Sequence, residues 1–453
     1  MNFVSVEFWM LVVATVLGCR LCKNQNGKLI IISLSSCFFY AWWDYRFLLL
    51  LLAYITVTYV ITRIMRPGNK GYVIAFLVLS LSLLGGFKYF NFFIETLNGI
   101  VGTKHQTLNT ILPLGISFYI LTAIGYVLDV YYGKYAAESN YLKVLVFIIF
   151  FPKLLSGPIE RGNKFFEKLD YIQNLTRERC STGIQIIVLG LIKKLVIADR
   201  LGVCVDAVFG NPDIFGAPAL LCAVLSYAIQ IYCDFSGYTD IAIGVSYLLG
   251  IRLDNNFNLP YCAKNPAEFW RRWHISLSSW FKDYVYIPLG GSRKGKISTY
   301  RNIMITMLVS GLWHGANWTF ILWGALHGAA QCLHKMFSRK KKSDSHVWMI
   351  LNFIFATIAW TFFRADSVAS GCKLLTGILK WQSGVQYIYT FTPIYFVLVL
   401  GMEYWAYRKN NGQAYYPLLD LRKPVQVSVF TAEILLLIAL AYFGNSAFIY
   451  NNF

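Results

Sequence analysis

Apolar runs separated by short polar breaks extend along the whole chain. They occupy residues 3–19, 29–43, 47–62, 72–87, 108–130, 144–155, 184–197, 217–233, 241–249, 303–326, 348–363, 392–402 and 425–443. At about 20 residues per crossing, the pattern predicts roughly 11 transmembrane helices, with shorter re-entrant or amphipathic pieces between them. Residues 144–155 and 241–249 are too short to cross alone and read as re-entrant or partly buried helices, whose backbone needs protein or water around it. No internal repeat or long hydrophilic segment interrupts the pattern, so residues 1–453 read as a single all-α polytopic membrane domain. No basic stretch precedes the first run and no cleavage-like site of small residues follows it, so it reads as a retained span. Arg20, Lys23 and Lys28 follow it, and Arg63, Arg66 and Lys70 come two spans later. The positive-inside rule then predicts an N-terminus outside the cell.

Composition agrees with the pattern. Hydrophobic residues make up 57% of the chain and charged residues 14%, against about 45–50% and about 25% in soluble domains. Mean hydropathy is +0.51. These values exclude a soluble globule, a disordered chain, a collagen, a coiled coil and a disulfide scaffold. The net charge of +19 would suggest nucleic acid in a soluble protein. Here Lys and Arg lie mainly in short breaks between apolar runs, as expected of loops facing anionic lipid, and no nucleic-acid partner is expected. The cluster at 339–342 reads as one such loop. Cys19 and Cys22 form the one close pair among ten scattered cysteines, so neither a metal site nor a structural disulfide is expected.

Candidate chemistry concentrates between Tyr232 and Gly328. Asn265-Pro266-Ala267-Glu268 has the form of a helix start, with an N-cap acceptor, proline at the first position and glutamate at the third. Trp270, His274, Leu277 and Phe281 then recur at helical spacing, with Trp273, Trp280 and Tyr284 beside them and Arg271, Arg272, Lys282 and Asp283 on a polar side. This predicts an amphipathic helix at the interface or along a cavity, running to the turn at Pro288-Leu289-Gly290-Gly291. Residues 303–326 contain no Asp, Glu, Lys or Arg and read as a full crossing with His314 near its middle, flanked by Gly311 and Gly315. A polar group at that depth marks a pathway or a site by default; the bland alternative is a helix-packing histidine bonded to a neighbouring carbonyl. His105, His334 and His346 read as surface groups in loops, and His327 as a hydrogen-bonded packing residue or, alternatively, part of a site. His274 is either a satisfied core histidine or part of a site. Asp234 and Asp240 flank a polar break, where they cap helices or line a polar cavity.

Other chemistries fail on the residues. Neither G-x-S-x-G nor H-E-x-x-H occurs. Residues 290–296 fit G-x-x-x-x-G-K, but Ile297 stands where a phosphate-binding loop needs Ser or Thr, and the stretch reads as a basic loop.

Three motifs together resemble the membrane-bound O-acyltransferase family: Tyr232-Cys233-Asp234-Phe235-Ser236-Gly237-Tyr238-Thr239-Asp240, Phe269-Trp270-Arg271-Arg272-Trp273-His274-Ile275-Ser276-Leu277 and Leu312-Trp313-His314-Gly315-Ala316. Ser156-Gly157-Pro158-Ile159, Tyr286-Ile287-Pro288-Leu289-Gly290-Gly291 and Phe448-Ile449-Tyr450 resemble the bacterial alginate and peptidoglycan O-acetylation branch. The likeness is dense from about 150 to 330. It implies tilted helices around a central tunnel in a bacterial cytoplasmic membrane, with an acyl thioester such as acetyl-CoA, or an acylated carrier protein, as donor from the cytoplasm. A polysaccharide acceptor lies on the other side, and a separate extracytoplasmic partner protein completes the transfer. No bound cofactor or metal is implied.

The family's catalytic histidine maps onto His314, and a second histidine of the branch onto His274. His314 would deprotonate an acceptor hydroxyl as it attacks the thioester, or be acylated itself. His274 would orient His314 or bind substrate. Trp313 and Asn317 are candidate donors to the developing oxyanion. Arg272 and Asp240, within or beside the matched motifs, complete the substrate-binding candidates. Two rival readings use the same residues: a transporter or flippase with His314 as its intramembrane polar group, and a scaffold in which the histidines do no chemistry.

Overall fold

The computed structural model describes residues 1–66, 69–108, 111–155, 157–337, 346–409, 422–444 and 449. The basic cluster at 339–342, Ser156 and the closing residues Phe448 and Tyr450 lie outside them. The described residues are helical and carry no strand, beyond one isolated bridge between Phe215 and Val385. They group into two compact units, residues 1–187 with 239–254, and residues 188–238 with 255–453.

The first unit holds α1 (Val6–Leu21), α2 (Gln25–Ala41), α3 (Tyr45–Ile64), α4 (Lys70–Leu84), α5 (Phe90–Val101), α6 (Ile116–Tyr131), α7 (Tyr141–Ile149), α8 (Gly162–Asp170) and most of α9 (Arg177–Leu191). Polar side chains start several of these helices: Asn24, Asp44 and Asn140 each accept a backbone N–H of the first turn. Helix α7 has only nine residues, and 144–149 are all buried, as the short apolar run led us to expect. Lys28 differs from its expected place in a charged loop. It lies in α2, is buried, and its ammonium donates to the Ile172 carbonyl at 3.1 Å and to Asn174 at 2.7 Å. A lysine withdrawn from solvent needs such acceptors.

The second unit holds α10 (Asp199–Gly210), α11 (Ala217–Leu248) as far as Tyr238, α12 (Pro266–Arg272), α13 (Ile275–Phe281), α14 (Gly295–His314), α15 (Trp318–Phe337), α16 (Val347–Arg364), α17 (Val368–Leu379), α18 (Phe391–Lys409) and α19 (Lys423–Leu440). Six helices among the described residues are long and apolar enough to cross a bilayer: Tyr45–Ile64, Lys70–Val101, Arg177–Gly210, Ala217–Leu248, Val347–Arg364 and Lys423–Leu440. Other apolar runs lie on shorter helices, such as α1 and α6 with 16 residues each.

Two expected boundaries are corrected. The polar stretch between 233 and 241 is not a break, because α11 continues through it for 32 residues. Asp234 therefore caps nothing. Its carboxylate accepts from the buried Lys194 ammonium at 2.7 Å and from the Ile449 backbone N–H at 3.0 Å. Lys194 also pairs with Asp199 at 2.7 Å. A helix interior tolerates a carboxylate when its charge and lone pairs are met from neighbouring elements.

The second correction concerns residues 303–326, which do not form one crossing. Helix α14 ends at His314, Gly315 is extended (φ −162°, ψ 149°), and α15 starts at Trp318. The two helices pack against each other as a hairpin held at glycines. A Cβ on Gly311 would run into the Phe320 carbonyl oxygen, and one on Gly324 into the Met307 carbonyl oxygen. Gly311 and Gly324 face each other, each Cβ position 3.3–3.4 Å from the other residue's Cα. The absence of charge made a hairpin look like a single span. Gly324→Leu is expected to lower the melting temperature of the detergent-solubilised protein by an overpacking penalty of about 1–3 kcal/mol. Gly401→Ala, where a Cβ meets nothing within 4 Å, is expected to leave it unchanged or raise it.

Candidate active site

The site grows from two interrupted helices. Helix α12 starts as its sequence requires: Asn265 Oδ1 accepts the Glu268 N–H at 2.8 Å, Glu268 Oε2 accepts the Lys264 N–H at 3.0 Å, and Pro266 takes the first turn. It does not run on to the Gly290 turn, but stops at Arg272. The segment at 256–258 takes over the backbone groups that would continue the ladder. Asn258 N–H donates to the Arg272 carbonyl at 2.8 Å, and Ile275 N–H donates to the Asn256 carbonyl at 2.9 Å. Between them, His274 adopts left-handed backbone angles, φ 43° and ψ 55°. Such a conformation is costly for a residue with a Cβ and persists where surrounding bonds enforce it. Helix α13 restarts at Ile275. The turn at Gly290-Gly291 lies where expected, with φ 105° and 54°, and Asn302 Nδ2 donates to the Gly291 carbonyl at 2.9 Å.

His314 is the last residue of α14, 2% exposed, and aromatic rings surround it. Ring centroids lie at 4.9 Å for Trp313, 5.0 Å for Trp323 and 5.3 Å for Phe363, all edge-on. Trp313 also approaches His274 at 6.5 Å and Phe281 at 6.4 Å. Trp323 also approaches His327 at 4.9 Å. His274 and His327 are each 0% exposed, so three buried imidazoles share one aromatic shell. His274 Nδ1 lies 3.2 Å from Asn256 Oδ1, and its ring meets Phe235 at 4.6 Å. Burial lowers the His274 pKa, because an imidazolium loses its hydration there.

A cavity of about 1710 Å³ opens beside this shell, in the second unit. Its inner wall includes Ile275, which follows His274, and Ser310, one helical turn before His314. Trp270 and Phe355 line it as well, and both contact His327. Among the described residues, Lys264, Arg271, Lys282 and Lys335 also lie on its wall, against the single carboxylate Glu268. His274 and His327, whose charged forms burial disfavours, thus adjoin residues of a wall that also carries these four cations. That suits an anionic molecule carrying an uncharged reactive end.

The family model for membrane-bound O-acyltransferases matches residues 135–371, which enclose all three histidines. The chain is 37% identical over 400 residues to the probable alginate O-acetylase AlgI of Pseudomonas aeruginosa, covering 84% of this chain and 76% of that protein. It is 37% identical over 394 residues to the peptidoglycan O-acetyltransferase of Helicobacter pylori, covering 79% and 75%. Identity to the teichoic acid D-alanyltransferase of Bacillus subtilis is 31% over 268 residues, covering 55% and 65%.

The structure brings His274, Trp313 and His314 together. Asp240 is buried in the first unit. Arg272 is a brace: its guanidinium donates to Glu268 Oε1 at 2.9–3.0 Å and to the Asn258 carbonyl at 3.1 Å. The neighbouring Arg271, absent from the substrate-binding candidates, is the arginine on the cavity wall among the described residues. The spacing of Glu268 and Arg272, four residues apart, already carries the ion-pair signal that tells the two apart. His334 is on α15 and lines the cavity, not a loop. His327 sits in the aromatic shell, a place its position at the end of an apolar run did not disclose. Asn317 starts α15: its Oδ1 accepts the Thr319 N–H at 3.0 Å and its Nδ2 donates to the Asp366 carbonyl at 3.1 Å. Asn317→Ala is therefore expected to cost about 1 kcal/mol of stability as a lost cap, read by thermal melting. Turnover of the folded fraction should stay within a few-fold of wild type; loss comparable to that of a His314 variant would return Asn317 to the chemistry.

Proposed function

We propose that this chain, which belongs to the membrane-bound O-acyltransferase family, moves an acetyl group from a thioester donor onto hydroxyls of a cell-envelope or extracellular polysaccharide. The observation that carries the reading is the placement of His314. It ends a glycine-packed hairpin inside an aromatic shell, one turn from the wall of a cavity with four cationic side chains. Acyl transfer needs a group that accepts a proton near neutral pH in a place from which water is excluded. A buried imidazole meets that need.

In the simplest sequence, the acceptor hydroxyl donates its proton to His314 as its oxygen attacks the thioester carbonyl. The tetrahedral oxyanion collapses, the C–S bond breaks, and the thiolate takes the proton back from His314. The products are an acetyl ester and a free thiol, and no other reactant is required. If His314 itself attacks, the same atoms balance through an acyl-imidazole that the hydroxyl then resolves. Lys264, Arg271, Lys282 and Lys335 favour an anionic donor such as acetyl-CoA or an acylated carrier protein. The donor would enter from the cytoplasmic side of a bacterial inner membrane, with the N-terminus outside. A separate extracytoplasmic protein would pass the acetyl group to the polymer.

Radiolabelled acetyl-CoA supplied to proteoliposomes tests this directly. Wild type should release thiol and transfer label to a hydroxyl acceptor, and His314→Ala should lose about 100-fold or more of that turnover. Thiol release undiminished in His314→Ala would remove His314 from the mechanism. An acyl adduct on His314, trapped and found by mass spectrometry, would exclude the pure general-base version. A wild type that releases no thiol from acetyl-CoA or from an acylated carrier protein would return the transporter reading.

A further inference from the structure

Hydrogen-bond geometry assigns the protons of two histidines around His314, and assigns them oppositely. Asn256 is 1% exposed and precedes α12. Its Oδ1 accepts the Ser276 backbone N–H at 3.1 Å and the Ser276 hydroxyl at 2.9 Å. A backbone N–H only donates, so the amide atom facing it is oxygen, and the orientation of the Asn256 side chain is settled. The same oxygen lies 3.2 Å from His274 Nδ1. An amide oxygen cannot donate, so Nδ1 carries the proton. With burial disfavouring the imidazolium, Nε2 of His274 is the acceptor.

His327 is the reverse case. The nitrogen 3.3 Å from its Nδ1 is the Trp270 indole Nε1, which is a donor only. Nδ1 of His327 must then accept, the ring is neutral, and its proton sits on Nε2. That Nε2 is fully enclosed and meets no hydrogen-bond acceptor among the described residues. Buried donors are nearly always satisfied, and an exception marks a place where a missing group completes the bond. Trp270 and Phe355, both in ring contact with His327 at 5.1 and 5.2 Å, line the cavity.

We infer that Asn256 and Trp270 are positioning residues that hold His274 as a hydrogen-bond acceptor and His327 as a hydrogen-bond donor, each one tryptophan ring away from His314. The function rests on the acyl-transfer reading above. His314 takes the hydroxyl's proton in the sequence above; an acceptor at His274 suits orienting that hydroxyl or the His314 ring, and a thioester carbonyl needs a donor for its oxygen. Fixed tautomers supply both without reorganisation during the reaction. His327 is thereby a fixed donor beside two residues of the cavity wall and not only a packing residue.

Nitrogen-15 spectroscopy of histidine-labelled protein in proteoliposomes tests the assignment without any substrate. Resonances of His274 and His327 are identified by their loss in His274→Gln and His327→Gln. His274 should be protonated at Nδ1 and His327 at Nε2; the opposite tautomer at either ring overturns the inference. Trp270→Phe, which removes the donor, should convert the His327 signal to a mixture of tautomers, and an unchanged signal would remove Trp270 from the role. Activity then separates positioning from packing. Asn256→Asp keeps the acceptor oxygen but adds a buried charge; Asn256→Leu keeps the shape and removes the acceptor. A merely structural role predicts that the charge is the more damaging of the two. A positioning role predicts that Asp retains turnover within about 10-fold while Leu loses about 100-fold or more in kcat, at equal folded protein. Leu equal to or better than Asp would overturn the positioning role. Thiol release by the wild type is read separately, so the tautomers can stand if acyl transfer fails, and acyl transfer can stand if they do not.

Discussion

Backbone contact between α14 and α15 sets the geometry on which the rest of the site depends. With Gly311 against the Phe320 carbonyl and Gly324 against the Met307 carbonyl, the two helices come closer than side chains at those positions would allow. The hairpin must then turn within the three residues between His314 and Trp318. Gly315, whose Cβ position is already filled by the Phe320 ring, makes that turn feasible. His314 is thereby placed at a helix end, with the rings of both hairpin helices closing around it. A histidine in the middle of an unbroken span would have a saturated backbone on both sides and no comparable opening.

The aromatic shell follows from the same constraint. Trp313 and Trp323 sit on opposite arms of the hairpin, and Trp360 and Phe363 on α16 complete the packing, with Trp323 and Trp360 stacked at 5.7 Å. Excluding water with large apolar rings strengthens every electrostatic interaction inside and makes unmet polar groups expensive. The protein treats its buried charges differently. The Lys194 ammonium is paired with both Asp199 and Asp234, an arrangement that neutralises and fixes them. Around His314 the same low dielectric instead holds two further imidazoles, His274 and His327, whose charged forms burial disfavours.

Local rules in the sequence disclosed a good deal of this. The Asn265 cap, the proline after it and the Gly290-Gly291 turn each follow from residues close in sequence. Long-range effects were not legible. Nothing in the spacing of Trp270, His274 and Leu277 shows that residues 256–258 divert the backbone hydrogen bonds at Arg272 and Ile275 and break the helix there. Hydropathy alone could not distinguish a single crossing from two packed helices in 303–326, because apolar composition serves both. The glycines at 311, 315, 324 and 328 were the available signal, since small residues recurring along an apolar stretch allow helices to pack closely. The place of His327 emerges only in the fold, because its partners, Trp270 and Phe355, lie on other helices.

The break at His274 and the turn after His314 also explain why the site is built from short elements when the chain is rich in long ones. A long apolar helix satisfies its own backbone and offers a ligand only side chains. Helices of seven residues such as α12 and α13 leave much of their backbone to be met by other segments. Here Asn256 and Asn258 meet it, and in doing so bring a buried amide against the His274 ring. The loss of helical hydrogen bonds and the orientation of the imidazole therefore have one cause. Strain at a left-handed histidine is tolerable because the bonds that impose it are the bonds that hold the ring in place.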